Sequence, residues 1–265
     1  MTAALLVAAA VAYLAAVRAG RRRGRGWADE RTACWLAGLT AAGIALIGPV
    51  AAAGHHDFAA HAAGHLLLGM AAPLLLVLAA PVTLAFRALP ARWARRLARA
   101  LRSRPVRVVT HPVTAAVLDA GGLWLLYGTG LLAGRHPGLV QLHILGAGYL
   151  FAAAVVGVDP APHRPGRAVR AAALIGFLTA HAILAKFLYA HPPAGVLLRE
   201  ARTGAEVMYY GGDLIDLALI VIFWWQWYRA GDSGRRWPRP PAPAAWRLPA
   251  ERPMPSRSLA SSRSG

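Results

Sequence analysis

The sequence predicts an all-α fold: a polytopic membrane helix bundle with seven transmembrane helices, the N-terminus outside and the C-terminus inside. The first reason is composition. Hydrophobic residues make up 57% of the 265 positions and the mean hydropathy is +0.44, which is more apolar than an ordinary soluble domain. The second is that apolar runs near the ~20 residues needed to cross hydrocarbon recur along the chain. The third is that arginine-rich and arginine-poor segments alternate between those runs.

The apolar runs define seven predicted spans. In chain order they are Thr2–Val17, Thr32–Val50, Phe58–Phe86, His111–Ala133, Gly138–Val158, Arg170–Ala190 and Ala205–Tyr228. The first is short, but its arginines follow the apolar stretch instead of preceding it, so it is predicted to be a span and not a signal peptide. The third is longer than the bilayer is thick and must tilt or bend, and Pro73 and Pro81 are natural places for a kink.

The segments outside the spans also have distinct patterns. Between spans three and four, apolar residues recur every fourth position among arginines, which predicts a helix lying on the inner membrane surface: Leu89, Trp93, Leu97 and Leu101. Residues 1–229 form the predicted transmembrane domain, and residues 230–265 are a predicted disordered, basic cytoplasmic tail rich in Pro, Arg and Ser. The lone cysteine, Cys34, excludes a disulfide framework or a thiolate metal cluster within one chain.

Arginine placement predicts the orientation, because short loops rich in Arg and Lys stay on the cytoplasmic side. With the N-terminus outside, the outside loops hold only Arg135, Arg199 and Arg202. The inside segments hold the rest, from Arg18 to Arg31, Arg87 to Arg107, Arg164 to Arg170 and Arg229 to Arg263. The net charge of +18 is therefore explained by topology and by attraction to anionic membrane lipid, and no nucleic-acid partner is expected.

Ionisable residues are costly inside a bilayer, so those within the predicted spans are functional candidates. His61 and His65 are four residues apart and share a helical face. Counted at ~1.5 Å per residue from the outer end of each helix, five residues from four spans fall in the outer half of the membrane. These candidate metal ligands are His61, His65, His143, His181 and Asp213.

Three chemistries fit this cluster, beside the simpler role of hydrogen bonding between helices. Imidazole, carboxylate and thioether groups suit copper in either oxidation state, and Met208 lies just below the outer surface. Two histidines on facing helices can also clamp a haem iron. A proton relay is the third, in which Asp119, Asp213 and Asp216 would extend the path inward.

Three motifs resemble those of the CtaG-type cytochrome c oxidase assembly factors of bacteria, which are seven-span membrane proteins. The first joins His61 and His65 to a Leu-Leu-Leu run, Pro73 and Pro81. The others are Gly148-Tyr-Leu-Phe leading to Gly157-Val-Asp159-Pro-x-Pro-His163-Arg164, and Gly204-x-x-x-Met208-x-x-Gly211-Gly-Asp213-Leu. The chain departs from the family pattern at Ala62, where Met is common, at Leu74, where Pro is common, and at Gln141, where another His would be expected.

The resemblance implies a non-enzymatic protein of the bacterial plasma membrane that works with cytochrome c oxidase subunits. It also implies that the protein handles copper on its way to the oxidase. Ala62 and Gln141 stand where the family pattern has Met and His, which are plausible copper ligands. These two changes affect the expected copper coordination and not the assignment to the family.

Overall fold

The computed structural model describes residues 2–128 and 137–234, with side chains as far as Arg229, and the regular elements in these ranges are helical. The α-helices are α1 (Thr2–Arg22), α2 (Asp29–Ile47), α3 (Pro49–Ala53), α4 (Phe58–Leu66), α5 (Ala72–Leu78), α6 (Pro81–Ala88), α7 (Ala91–Leu101), α8 (Arg104–Val109), α9 (Pro112–Leu123), α10 (Pro137–Val156), α11 (Arg167–Ala190) and α12 (Leu198–Gly234). Single π-helical turns cover Leu67–Ala71 between α4 and α5, and Trp124–Gly128 after α9. The all-α prediction is confirmed.

Six segments of the described residues are long and apolar enough to cross a membrane: Thr2–Arg22, Asp29–Ala53, Phe58–Leu78, Pro137–Val156, Arg167–Ala190 and Leu198–Arg229. The fourth predicted span contains only the shorter apolar stretch Pro112–Tyr127, and its last residues, 129–133, lie outside the described residues. Seven spans and their orientation therefore stay a prediction. The greater part of the predicted tail, 235–265, also lies outside the described residues.

The third predicted span is not one helix to Phe86, and the prediction of a single bent helix was wrong on this point. The chain leaves the helix after Leu78, and Ala80 adopts a left-handed conformation with φ of 52° before α6 begins at Pro81. Proline lacks an N–H for the helical hydrogen bond and disfavours the α conformation in the residue before it. Tyr13 of α1 donates a 2.8 Å hydrogen bond to the carbonyl oxygen of Ala79, which fastens the first helix to this break.

Pro73 also disturbs the helix, in the turn that precedes it. It cannot donate to the carbonyl oxygen of Gly69, and the π-helical turn Leu67–Ala71 precedes it. Gly148 on α10 lies directly against that carbonyl oxygen and against the Pro73 ring. A motif glycine therefore allows α10 to approach the irregular turn at a distance that a side chain would prevent.

The loop between α10 and α11 is fastened to the start of α6. Asp159 accepts hydrogen bonds from the backbone N–H groups of Val82 and Thr83, at 3.1 and 2.7 Å, and from the Thr83 hydroxyl at 2.6 Å. These carboxylate contacts satisfy N–H groups that a helix start leaves unpaired. Asp159 is thus a capping residue supplied from a distant part of the chain.

The predicted surface helix is confirmed as a helix, α7, which follows Pro90. Its Trp93 is 45% exposed, and the guanidinium groups of Arg92 and Arg96 lie over its ring at 6.0 and 4.6 Å from the centroid. Its placement on a lipid surface stays a prediction.

The main hydrophobic core lies where α5, α9, α10, α11 and α12 meet. Phe151 and Phe177 pack there with ring centroids 4.2 Å apart, and Val77, Ala115 and Leu219 are buried in the same cluster. This core holds in place the helix segments that carry the candidate histidines.

Candidate functional site

His65 lies inside the bundle near the end of α4. Its side chain is 5% exposed, and neither ring nitrogen has a hydrogen-bond partner. The ring meets Tyr127 edge to face, with centroids 5.9 Å apart. Gly69, one turn further on, leaves room for the imidazole, since a Cβ there would approach the His65 Cε1 to 3.0 Å. A buried imidazole without a partner is costly, which marks His65 as a candidate for binding something.

His181 of α11 lies in the same interior. It is 3% exposed, it stacks on Phe177 with centroids 6.0 Å apart, and its Nε2 has no hydrogen-bond partner. The two histidines are close enough for their charges to interact. His65 and His181 are therefore the pair of predicted ligands that the structure brings together in the core.

Two motif glycines on α12 allow this approach. Leu66, next to His65, packs against Gly211, and the His181 imidazole packs against Gly212. Any side chain at either glycine would overlap these groups. The Gly-Gly pair thus lets α4 and α11 both pack closely on α12, which explains the motif physically.

The other predicted ligands do not join the pair as one compact group. His61 is exposed, with its ring between Phe58 and Tyr127 at centroid distances of 6.0 and 5.7 Å. Asp213 is exposed and reaches His181 only through their electrostatic interaction. Within the described ranges, no three His, Cys, Asp or Glu side chains lie close enough together to hold a metal ion.

His143 lies against α9. It is exposed, its Nε2 is 3.1 Å from the carbonyl oxygen of Leu118, and its ring fills the space beside Gly122. It lines a largely apolar groove of about 550 Å³ together with Trp124 and Leu125. Its imidazole already has a hydrogen-bond partner, unlike that of His65.

Tyr127 belongs to this site although sequence reasoning missed it, and Met208, which the sequence analysis named as a thioether, is buried in a cluster with residues of α4 and α11. Tyr127 contacts both His61 and His65 through its ring. Met208 is 1% exposed and belongs to a cluster with Ala62 of α4 and Leu184 of α11. The signal for Tyr127 was its phenol, a polar group within the apolar fourth span.

The interior also contains a pair of acids. Asp119 of α9 and Asp216 of α12 are 5% and 4% exposed, and each has one carboxylate oxygen without a hydrogen-bond partner. They are close enough to interact electrostatically. Over residues 2–128 and 137–229, no salt bridge reaches either of them. Such a pair has the proton-binding groups that the relay alternative requires.

The helices and this interior define a class: a multi-pass, all-helical membrane protein with unpaired histidine and aspartate side chains buried between its helices. A family model identifies it further. The model described as cytochrome c oxidase caa3 assembly factor (Caa3_CtaG) matches residues 11–230. The chain belongs to this family, as the three motifs predicted, and the family is one of assembly factors.

Relatives occur in mycobacteria. Two uncharacterized proteins, from Mycobacterium bovis and Mycobacterium tuberculosis, are each 37% identical over 176 residues, which cover 61% of this chain and 27% of the relative. An uncharacterized protein of Mycobacterium leprae is 32% identical over 187 residues, covering 65% of this chain and 28% of the relative. The chain thus spans little more than a quarter of the length of these relatives. No solved structure matches it.

Proposed function

We propose that the protein supports assembly of a caa3-type cytochrome c oxidase by holding copper at His65 and His181. The observation that carries this proposal is a pair of buried imidazoles in which both ring nitrogens of His65 and the Nε2 of His181 lack hydrogen-bond partners. The family supplies the assembly role, and the residues supply the copper chemistry.

The donor set suits Cu(I). Neutral imidazole and thioether groups are ligands that copper accepts. Met208 lies in a cluster with Ala62 and Leu184, which are each three residues from one of the two histidines. These donors are nitrogen and sulfur, and the exposed His61, His143 and Asp213 are not needed.

Haem fits this interior less well. A porphyrin between His65 and His181 needs a wide cavity, whereas His181 packs directly against Gly212 and the neighbouring Leu66 packs against Gly211. A single metal ion needs no such opening. Copper is therefore preferred to haem as the cargo.

The oxidase partner and the orientation belong to the same proposal. With the N-terminus outside and the C-terminus inside, the histidine pair lies in the outer half of the membrane, from which copper can pass to an outward-facing oxidase subunit. A reporter active only in the cytoplasm is expected to work when fused after Arg229 and to fail when fused after Arg199. The reverse pattern would place the pair in the inner half and contradict the proposal.

Assembly itself can be tested in a bacterium whose own factor of this family has been deleted. Expression of the full chain is expected to restore the haem a absorbance of the assembled oxidase, and His65→Leu is expected not to restore it, at equal protein level. His163→Ala is the control, because His163 is exposed in the loop after α10 and should leave assembly unchanged. Full restoration by His65→Leu would show that the buried pair is not needed.

A further inference from the structure

Three arginines converge where α10 ends and α11 begins. Arg164 and Arg167 are both close enough to Arg170 to repel it electrostatically. The three come from a loop, the first turn of α11 and the buried face of that helix. Positive charge is thus concentrated at one end of the bundle.

Two of the three guanidinium groups, those of Arg164 and Arg170, are held in place by hydrogen bonds to the backbone. Arg170 is 8% exposed, and its Nε donates a 2.9 Å hydrogen bond to the carbonyl oxygen of Val155. Arg164 donates a 2.6 Å hydrogen bond to the backbone oxygen of Asp159 and lies over Gly157, where a Cβ would come within 2.6 Å of its Cζ. These two charges are therefore fixed near one another, although they repel.

Aromatic rings of α12 complete the surroundings. The Arg170 guanidinium lies 5.1 Å from the Phe223 ring centroid, and that of Arg167 lies 5.6 Å from the Trp227 ring centroid. Trp and Tyr side chains are typical of the level at which lipid headgroups meet hydrocarbon. The Trp227 ring beside Arg167 is thus of the kind expected next to a headgroup.

The nearby acid offsets only part of this charge. The carboxylate of Asp159 is occupied by hydrogen bonds from Val82 and Thr83 at the start of α6. It lies close enough to raise the pKa of Arg164, but burial is the larger influence and lowers that pKa overall. Among the described residues, three arginines and one carboxylate thus meet here, which leaves a net positive charge.

We propose that Arg164, Arg167 and Arg170 form a binding site for the phosphate headgroup of an anionic phospholipid, at the end of the bundle where α10, α11 and α12 meet. The charge complementarity is direct, since basic pockets between transmembrane helices suit anionic headgroups. The guanidinium forks suit phosphate oxygens. Phe223 and Trp227 offer the apolar surface that the first carbons of the acyl chains would meet.

The site can be tested with the full chain purified from membranes containing phosphatidylglycerol. Native mass spectrometry is expected to detect phosphatidylglycerol retained through detergent. The double variant Arg164→Gln and Arg167→Gln is expected to lower its retention roughly 10- to 30-fold, given ~1 kcal/mol per charge. Arg95→Gln with Arg99→Gln on α7 removes equal charge from exposed positions and is expected to leave retention unchanged.

Two further measurements make the result decisive. The single variant Arg167→Gln removes a side chain whose described contact is the Trp227 ring, and it should weaken retention while keeping the wild-type circular dichroism spectrum. Millimolar inorganic phosphate should not displace the lipid. Equal loss in the two double variants, unchanged retention in Arg167→Gln, or displacement by inorganic phosphate would overturn the assignment to a lipid headgroup.

Discussion

Replacement of Gly148 by alanine is expected to lower the free energy of unfolding by about 1–3 kcal/mol, and by more if α10 cannot shift. The new Cβ would overlap the carbonyl oxygen of Gly69 and come within 3.0 Å of the Pro73 ring. Both obstacles are parts of the backbone or of a rigid ring, so neither can move aside as a flexible side chain would. The change would push α10 away from the turn that follows His65.

Gly146 is the matched control, because it lies on the same helix with nothing within 4 Å of a built Cβ. Gly146→Ala is expected to leave stability unchanged or to raise it by up to about 1 kcal/mol, since alanine favours the helix over glycine. The measurement is thermal unfolding of both variants in the same detergent. Equal melting temperatures for the two variants would show that the contact between Gly148 and Gly69 does not constrain the bundle.

Replacement of His65 by leucine is expected to lower copper affinity by at least about 100-fold, because even the loss of a residue that only supports a ligand costs 10- to 100-fold. The thermal stability of the variant should not fall together with its copper affinity. Neither ring nitrogen of His65 has a hydrogen-bond partner, so an apolar side chain of similar size removes an unsatisfied polar group from the core. We expect the variant to melt at or above the wild-type temperature while losing copper.

This combination separates a binding site from a structural histidine. If His65 served only to stabilise helix packing, His65→Leu would lower the melting temperature and leave the copper content of the protein unchanged. The same reasoning applies to His181, whose Nε2 is unpaired. Parallel loss of copper in both single variants is expected from a site that has few ligands.

The helices, α7 among them, could be predicted from the sequence, because apolar runs and a four-residue repeat are local properties. The break before Pro81 could not be placed with the same rules. A proline can either kink a helix or end it, and the choice here depends on the hydrogen bond from Tyr13 to Ala79, which joins residues far apart in the chain. Similarly, the close contact between Gly148 and the Gly69 carbonyl oxygen depends on how α10 is aligned along α4 and α5. That alignment is a property of the tertiary structure and could not be predicted from local patterns.

The sequence predicts that the candidate residues share the outer half of the membrane, which stays a prediction, but it could not give the direction in which each side chain points. Counting residues placed five side chains in one layer, but the direction in which each helix faces is set by tertiary packing. His143 therefore points to the carbonyl oxygen of Leu118. His61 and His65 share a helical face, as predicted, and both contact Tyr127, yet only His65 is buried. Tyr127 was missed because it lies in the fourth predicted span, whereas His61 and His65 lie in the third.

Copper per protein is the measurement that tests the central claim most directly. The wild type, His65→Leu, His181→Leu and the control His163→Ala would each be loaded with Cu(I) in detergent, freed of excess metal and examined by elemental analysis. The account predicts copper in proportion to protein for the wild type and His163→Ala, and little or none for the two core variants. Equal copper in all four proteins, or none in the wild type, would contradict copper binding at the buried histidine pair.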